Sequence, residues 1–210
     1  MTLLQIALDT ISVDDAITML PSVLDSVDLV EAGTPMIKRE GIGAVTRLRA
    51  ASPGKLIVAD MKTMDAGEYE AELAFDAGAD LVTVLGCASD ATIAAAVAAA
   101  ERQGKQICVD LMGVRDKPAR ARALASLGVA YLGIHAGTDK SRTGKSRPAG
   151  DFAAVAGATN LPLCVAGGIS PATIADVLAS NPAIVVVGSA IVGATNPADV
   201  AATLKQALTR

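Results

Sequence analysis

The sequence predicts an α/β fold: a (β/α)₈ or TIM barrel formed by one domain over residues 1–210. Three observations lead to this prediction. Short apolar runs alternate with longer alanine-rich, amphipathic segments, which is the pattern of a parallel sheet covered by helices. The alternation occurs eight times, and eight strand–helix units fill 210 residues with little room for insertions. No linker or shift in composition divides the chain.

The apolar runs give the expected strands, and helices are expected in the gaps between them. A doubly wound open sheet is the alternative arrangement of such units. It is disfavoured because no GxGxxG follows the first strand. The expected strands are residues 3–8, 28–31, 55–60, 81–85, 106–111, 131–135, 162–166 and 184–187.

Capping residues mark several of the expected helices. Serine before an apolar-periodic segment is typical of a helix N-terminus, and proline is favoured at the first helical position. Glycine just before the next strand is typical of a helix end. The expected caps are Ser12, Ser89 and Ser170, the last followed by Pro171, and the expected terminal glycines are Gly78 and Gly128.

Composition excludes several classes of function. The net charge of −4 argues against a nucleic-acid-binding surface. Cys87, Cys108 and Cys164 have no zinc-ligand spacing and are expected to be buried, reduced thiols of a cytoplasmic protein. Residues 1–8 lack the basic start of a signal peptide. Residues 177–198 are uncharged, but prolines and glycines interrupt them, so no membrane span is expected.

Ionisable residues end five of the eight expected strands. In a parallel barrel the active site lies at the carboxyl ends of the strands. An aspartate after a strand is often only a turn or helix cap, and this interpretation stays open for Asp9 or Asp110 alone. Together these residues predict a site at one mouth of the barrel: Asp9, Glu31, Asp60 with Lys62, Asp110 and His135.

Glu31 and Asp60 are the candidate metal ligands. They end neighbouring strands, so their oxygens are expected within reach of one cation. Hard oxygen ligands suit Mg²⁺, and Mn²⁺ would fit similarly. The alternative is that Glu31 only pairs with Lys62.

Lys62 and His135 are the candidates for charge stabilisation and proton transfer. Alternation along a strand places Asp60 and Lys62 on one face and Met61 on the other. Asp60 and Asp65 should keep the pKa of Lys62 high, which favours an oxyanion donor over a Schiff-base amine. His135 is the only histidine, and although a lone histidine is often structural, this one ends a strand.

Glycine-rich turns after the last two strands predict a phosphate site. Backbone N–H groups of these loops commonly hold phosphate in this type of barrel. The polar, basic loop over residues 137–150 is interpreted either as a lid over an anionic substrate or as a plain solvated loop. The candidate phosphate-binding residues are Gly167, Gly168, Gly188 and Ser189.

The motif Asp60-x-Lys62-x-x-Asp65 resembles the D-x-K-x-x-D motif of the orotidine 5′-phosphate decarboxylase suprafamily, whose members are typically dimeric barrels. Within it, the chain most resembles the 3-hexulose-6-phosphate synthase family over essentially its whole length. The similar segments are VEAGTPMIKREG at 30–41, VADMKTMDAGEYEAELAFDAGADLVTVLG at 58–86, VDLMGVRDKPARA at 109–121, IHAGTD at 134–139 and VAGGIS at 165–170.

The resemblance implies an aldol condensation of formaldehyde with D-ribulose 5-phosphate in a homodimer. It implies His135 as the base at C1, and Lys62 with Mg²⁺ on Glu31 and Asp60 as stabilisers of an enediolate. Asp65 would enter the site of the neighbouring subunit. Asp9 and Asp110 would orient sugar hydroxyls or waters on the metal.

Two other functions stay open. The sister family, 3-keto-L-gulonate 6-phosphate decarboxylase, has Glu, Arg, Thr and Gly-Arg where this chain has Asp110, Thr138, Ala166 and Gly188-Ser189. A non-catalytic sugar-phosphate sensor would need no base.

With no arginine at 189, cations for the phosphate are expected from the 137–150 loop, where the candidates are Arg142, Lys145 and Arg147.

Overall fold

The computed structural model describes residues 1–137, 139 and 148–209, and its strands form a closed barrel. Neighbouring strands pair in chain order, all parallel, and the last strand pairs with the first. The predicted (β/α)₈ fold is confirmed, and the open sheet is excluded. The strands are β1 (Leu3–Leu8), β2 (Leu29–Ala32), β3 (Leu56–Thr63), β4 (Leu81–Leu85), β5 (Gln106–Asp110), β6 (Tyr131–His135), β7 (Leu163–Ala166) and β8 (Ile184–Val187).

Helices cover the outside of the barrel. In the described part of the chain, none of them is long and apolar enough to cross a membrane. Two short 3₁₀ turns, Leu20–Ser22 and Leu24–Ser26, precede β2. The helices are α1 (Val13–Met19), α2 (Thr34–Glu40), α3 (Gly43–Ala51), α4 (Gly67–Asp76), α5 (Asp90–Gln103), α6 (Lys117–Leu124), α7 (Pro148–Ala156), α8 (Ile174–Leu178), α9 (Ser189–Val192) and α10 (Pro197–Leu208).

Most of the predicted caps are confirmed. The hydroxyls of Ser12 and Ser89 accept backbone N–H bonds at the starts of α1 and α5. Gly78 and Gly128, with φ of 104° and 77°, take the left-handed conformation that lets the chain leave a helix and enter the next strand.

The predicted helix start at Ser170 and Pro171 is wrong. Helix α8 begins only at Ile174. The Ser170 N–H donates to the Thr173 hydroxyl, and the Thr173 N–H donates to the Ser170 carbonyl, which closes a turn first. The proline sits in that turn, where its fixed φ is equally acceptable.

Side chains alternate along each strand between the helices and the barrel interior. The outer set forms the main hydrophobic core. The inner set begins with an apolar layer that closes the barrel below the site. Two residues further along four of these strands, the same face carries Glu31, Asp60, Thr83 and Asp110. The apolar layer consists of Leu29, Val58, Leu81, Cys108, Cys164 and Ile184.

All three cysteines are free thiols, but only two are buried. Cys108 and Cys164 lie in the barrel interior as expected. The Cys164 thiol and burial raise the pKa of Cys108, so it stays protonated. The expectation that Cys87 is buried is wrong, because this residue lies in the turn after β4 and is exposed.

Candidate active site

The ammonium of Lys62 lies among the polar side chains at the carboxyl ends of the strands. Its Nζ is 2.7 Å from Asp60 Oδ2 and 3.3 Å from Asp110 Oδ2. Burial alone would lower the pKa of Lys62, but the surrounding carboxylates, that of Asp60 first, raise it. Lys62 is therefore a permanent cation, as the sequence predicted, and a neutral amine for Schiff-base chemistry is absent at neutral pH.

Strand β3 is irregular where Lys62 emerges. The side chains of Asp60 and Lys62 share one face, and Met61 packs against the outer core, so the predicted alternation is confirmed. The Lys62 backbone nevertheless has a φ of 47°. Residues with long side chains rarely adopt this left-handed conformation, so neighbouring groups must hold it in place.

The carboxylate of Asp60 is held by three side chains. The Thr83 hydroxyl donates to Oδ1 at 2.6 Å, and the Thr34 hydroxyl lies 2.8 Å from Oδ2. Lys62 donates to both oxygens. Asp60 is only 5% exposed, so these contacts fix the direction in which its oxygens point.

Glu31 is buried and lies close enough to Asp60 for the two charges to interact. It accepts a hydrogen bond of 2.6 Å from the buried amide of Gln5. Burial, followed by the charges of Asp60 and Asp9, raises the pKa of Glu31 well above its usual range. Burial and the charge of Asp60 raise the pKa of Asp9 in the same way. Three carboxylates thus repel one another here, and a bound cation would relieve that repulsion.

Glu31 and Asp60 suit a divalent cation that keeps part of its water shell. Among the described residues, no three His, Cys, Asp or Glu side chains form a ready-made ligand set. Mg²⁺ commonly binds through only one or two carboxylates plus water and substrate oxygens. The alternative, in which Glu31 only pairs with Lys62, is not supported, because Lys62 bonds to Asp60 and Asp110.

His135 and Asp110 form a hydrogen-bonded pair at the ends of β6 and β5. Their Nδ1 and Oδ2 atoms are 3.3 Å apart. The other Asp110 oxygen accepts the backbone N–H of Met112 at 2.8 Å. Burial alone would raise the pKa of Asp110, but the bond from His135 and the charge of Lys62 lower it. Asp110 is therefore an ionised group that orients the imidazole.

Asp65 lies away from this cluster. The sequence suggested that it flanks Lys62, but the structure places it exposed in the turn between β3 and α4. Three large apolar side chains near it are also exposed: Met64 (52%), Tyr69 (69%) and Leu73 (37%).

The predicted phosphate loops lie at the carboxyl ends of β7 and β8. Gly167 and Gly168 have φ of 106° and 69°. A Cβ at Gly167 would lie 2.6 Å from the Ala136 carbonyl oxygen, so a side chain is excluded there. A Cβ at Gly188 would be 3.6 Å from Asp9 Oδ2, which brings this loop beside the carboxylate cluster. Ser189, the next residue, is exposed.

The predicted lid falls largely outside the described residues, and so do Thr138, Arg142, Lys145 and Arg147. The expected contribution of the three basic residues to phosphate binding stays a prediction.

Three polar residues of the site were missed by sequence reasoning: Gln5, Thr34 and Thr83. Gln5 interrupts the apolar run of β1. A polar residue buried in a strand needs a partner, and that signal could have found it. Threonine is common in strands and at helix starts, so Thr34 and Thr83 carried no comparable signal.

A family model described as "Orotidine 5′-phosphate decarboxylase / HUMPS family" matches residues 2–204. The chain belongs to this family. A curated member, 3-hexulose-6-phosphate synthase of Mycobacterium gastri, is 44% identical over 208 residues, which cover 98% of this chain and 99% of the relative.

Solved structures of the family show the same fold. The crystal structure of 3-hexulose-6-phosphate synthase from Salmonella typhimurium has a TM-score of 0.96 and 41% identity over 99% of each chain. The 3-keto-L-gulonate-6-phosphate decarboxylase of Vibrio cholerae has a TM-score of 0.85 and 31% identity, covering 100% of this chain and 98% of its own. The predicted resemblance to the synthases, which are aldolase-type lyases, is thereby confirmed.

Proposed function

We propose that this chain condenses formaldehyde with D-ribulose 5-phosphate, giving D-arabino-hex-3-ulose 6-phosphate. The observation that carries the proposal is the linked set of His135, Asp110 and Lys62 at the mouth of the barrel. It supplies an oriented base beside a permanent cation. An aldol addition through an enediolate needs these two groups.

The proton at C1 of the ketose passes to His135. With its Nδ1–H donated to Asp110, the imidazole keeps a lone pair on Nε2 for this proton. Negative charge then develops on the enediolate oxygens, where the Lys62 ammonium stabilises it. C1 attacks the carbon of formaldehyde, and the new alkoxide recovers the proton from His135. Protons therefore balance over the reaction.

Glu31 and Asp60 would hold Mg²⁺ or Mn²⁺ in this proposal. The bound cation would supply further electrophilic stabilisation of the enediolate oxygens. Gln5 keeps Glu31 in position, and Asp9 orients sugar hydroxyls or metal-bound waters. The loops at Gly167, Gly168, Gly188 and Ser189 take the phosphate of the substrate.

A synthase is favoured over the sister decarboxylase. Identity is 41% to the Salmonella synthase structure against 31% to the Vibrio decarboxylase structure. The chain also has Asp110, Ala166 and Ser189 at positions where the decarboxylase pattern has Glu, Thr and Arg.

The proposal predicts metal-dependent condensation of formaldehyde with ribulose 5-phosphate. We expect EDTA to abolish the condensation, and Mg²⁺ or Mn²⁺ to restore it. The same preparation, assayed with 3-keto-L-gulonate 6-phosphate, should release carbon dioxide much more slowly. Faster decarboxylation than condensation would reassign the chain to the sister activity. If the ketose C1 proton shows no metal-dependent exchange with solvent deuterium, the chain is a sugar-phosphate binder.

A homodimer is the second part of the proposal. Met64, Tyr69 and Leu73 are exposed apolar side chains on or just before α4, the helix that follows Asp65, and exposed apolar groups of this kind mark interfaces. A cavity of about 480 Å³ is lined by Tyr69, by other residues between Ala66 and Glu72, and by Ala95 of α5. Covering this face with a second copy would carry Asp65 toward the partner's barrel.

The free thiols support a cytoplasmic location.

Subunit complementation tests the shared site. Asp65→Ala and His135→Ala should each be inactive alone. Mixed dimers would contain one site with both residues intact, so mixing equal amounts after dissociation should restore about a quarter of wild-type activity. Two copies of the same variant, mixed identically, serve as the control. No recovery, although mixed dimers form, would place Asp65 outside the neighbouring site.

A further inference from the structure

Strands β3 and β4 lose their regular pairing beside the site. Ala59 is in register with Val82, and Thr63 with Val84. Three residues of β3 therefore face a single residue of β4, which is Thr83. The extra length of β3 contains Asp60 and Lys62, so the irregularity falls on two proposed functional residues.

The Thr83 hydroxyl takes over the bonding that the strand pairing loses. It accepts the backbone N–H of Lys62 at 3.0 Å and donates its own hydrogen to Asp60 Oδ1 at 2.6 Å. Only a group that is donor and acceptor at once can make both bonds. One atom thus connects the left-handed backbone of Lys62 to the carboxylate that its ammonium contacts.

We infer that Thr83 is a positioning residue that sets the backbone of Lys62 and the carboxylate of Asp60 for the reaction. This inference rests on the proposed function for its catalytic consequence. Its structural part, that the Thr83 hydroxyl fixes the backbone conformation of Lys62, does not depend on the substrate. Thr83 acts through its two neighbours and has no contact with the reacting atoms in this assignment.

Thr83→Val tests the structural part, because valine matches threonine in shape and lacks the hydroxyl. In a crystal structure of this variant, we expect the φ of Lys62 to leave the left-handed region, or Nζ to lose its 2.7 Å contact with Asp60. If the φ of Lys62 and the contact between its Nζ and Asp60 both stay unchanged, the inference is overturned. If the valine variant does not fold, Thr83→Ala is examined in the same way.

The catalytic part is measured as exchange of the C1 proton of ribulose 5-phosphate with deuterium. Misplacing a functional group by about 1 Å costs roughly 100-fold, and a loss of this size is expected for Thr83→Val. The affinity for ribulose 5-phosphate, measured by calorimetry, should stay near wild type. Thr83→Ser keeps the hydroxyl and should retain most of the exchange rate.

Thr92→Val is the matched control. Thr92 is also buried, but its hydroxyl bonds to Ser89 at the start of α5. This variant should lose thermal stability and keep its exchange rate. Wild-type exchange in Thr83→Val would overturn the positioning role. Absence of exchange in the wild-type protein would refute the proposed function instead. The crystal structures would then still test whether Thr83 fixes the backbone of Lys62.

Discussion

Replacing His135 by alanine is expected to lower synthase turnover by roughly 10²–10⁴-fold, the usual contribution of a general base. The loss is expected in kcat, because alanine removes the group that we propose takes the C1 proton. Binding of ribulose 5-phosphate should change little, since the loops proposed to bind its phosphate follow β7 and β8, away from His135 at the end of β6. Turnover and C1 exchange are measured by kinetics and NMR, and binding by calorimetry.

Added imidazole provides the control for His135→Ala. The side chain of His135 is 25% exposed, so the space that alanine leaves opens to solvent and can admit a small base. Partial recovery of exchange with imidazole would show that the variant is folded and lacks only the base. Full turnover without imidazole would remove His135 from the mechanism.

Replacing Lys62 by methionine is expected to lower kcat by roughly 10²–10³-fold, which is typical for the loss of one preorganised charge donor. The variant keeps a long side chain but leaves Asp60 and Asp110 facing each other without the cation between them. We also expect a loss of about 3 kcal/mol in the free energy of unfolding, because removing one partner of a buried ion pair leaves the carboxylates uncompensated. Steady-state kinetics and urea unfolding measure the two effects.

Lys105→Met is the matched control for Lys62→Met. Lys105 also pairs with an aspartate, since its Nζ lies 2.7 Å from Asp80 Oδ1, but both residues precede their strands at the opposite end of the barrel. Its loss should reduce stability and leave kcat unchanged. Near-wild-type turnover in Lys62→Met would contradict the assignment of this lysine.

The fold was readable from the sequence because its signals are local and repeated. Strands β1, β4, β6 and β8 have the bounds that the apolar runs predicted. The end of β3 was not predicted, because its length depends on a loss of register with β4, and register is a property of two strands. The turn at Ser170 was mistaken for a helix start since serine and proline suit both structures.

The sequence predicted most members of the polar cluster at the mouth of the barrel, but it did not predict which of them contact one another. Charged residues at strand ends gave Asp9, Glu31, Asp60, Lys62 and His135, because burying such groups without a purpose is costly. That Lys62 contacts Asp110, 48 positions further along the chain, depends on the curvature of the barrel. The role inferred for Thr83 could not be predicted for another reason. It depends on the irregular pairing of β3 with β4, which no residue type in the sequence indicates.

Closure of the barrel through β1 and β8 has a consequence for synthesis on the ribosome. Leu3 pairs with Ile184, so this edge of the first strand stays uncovered until β8 has left the exit tunnel. An open strand edge is a template for unwanted pairing. The hydrogen bond from the Leu4 N–H to Asp28 and the pairing of β1 with β2 can form early. The pairing of β1 with β8 can form only after β8 has been synthesised, so we expect the barrel to close late and its open edge to be prone to unwanted pairing until then.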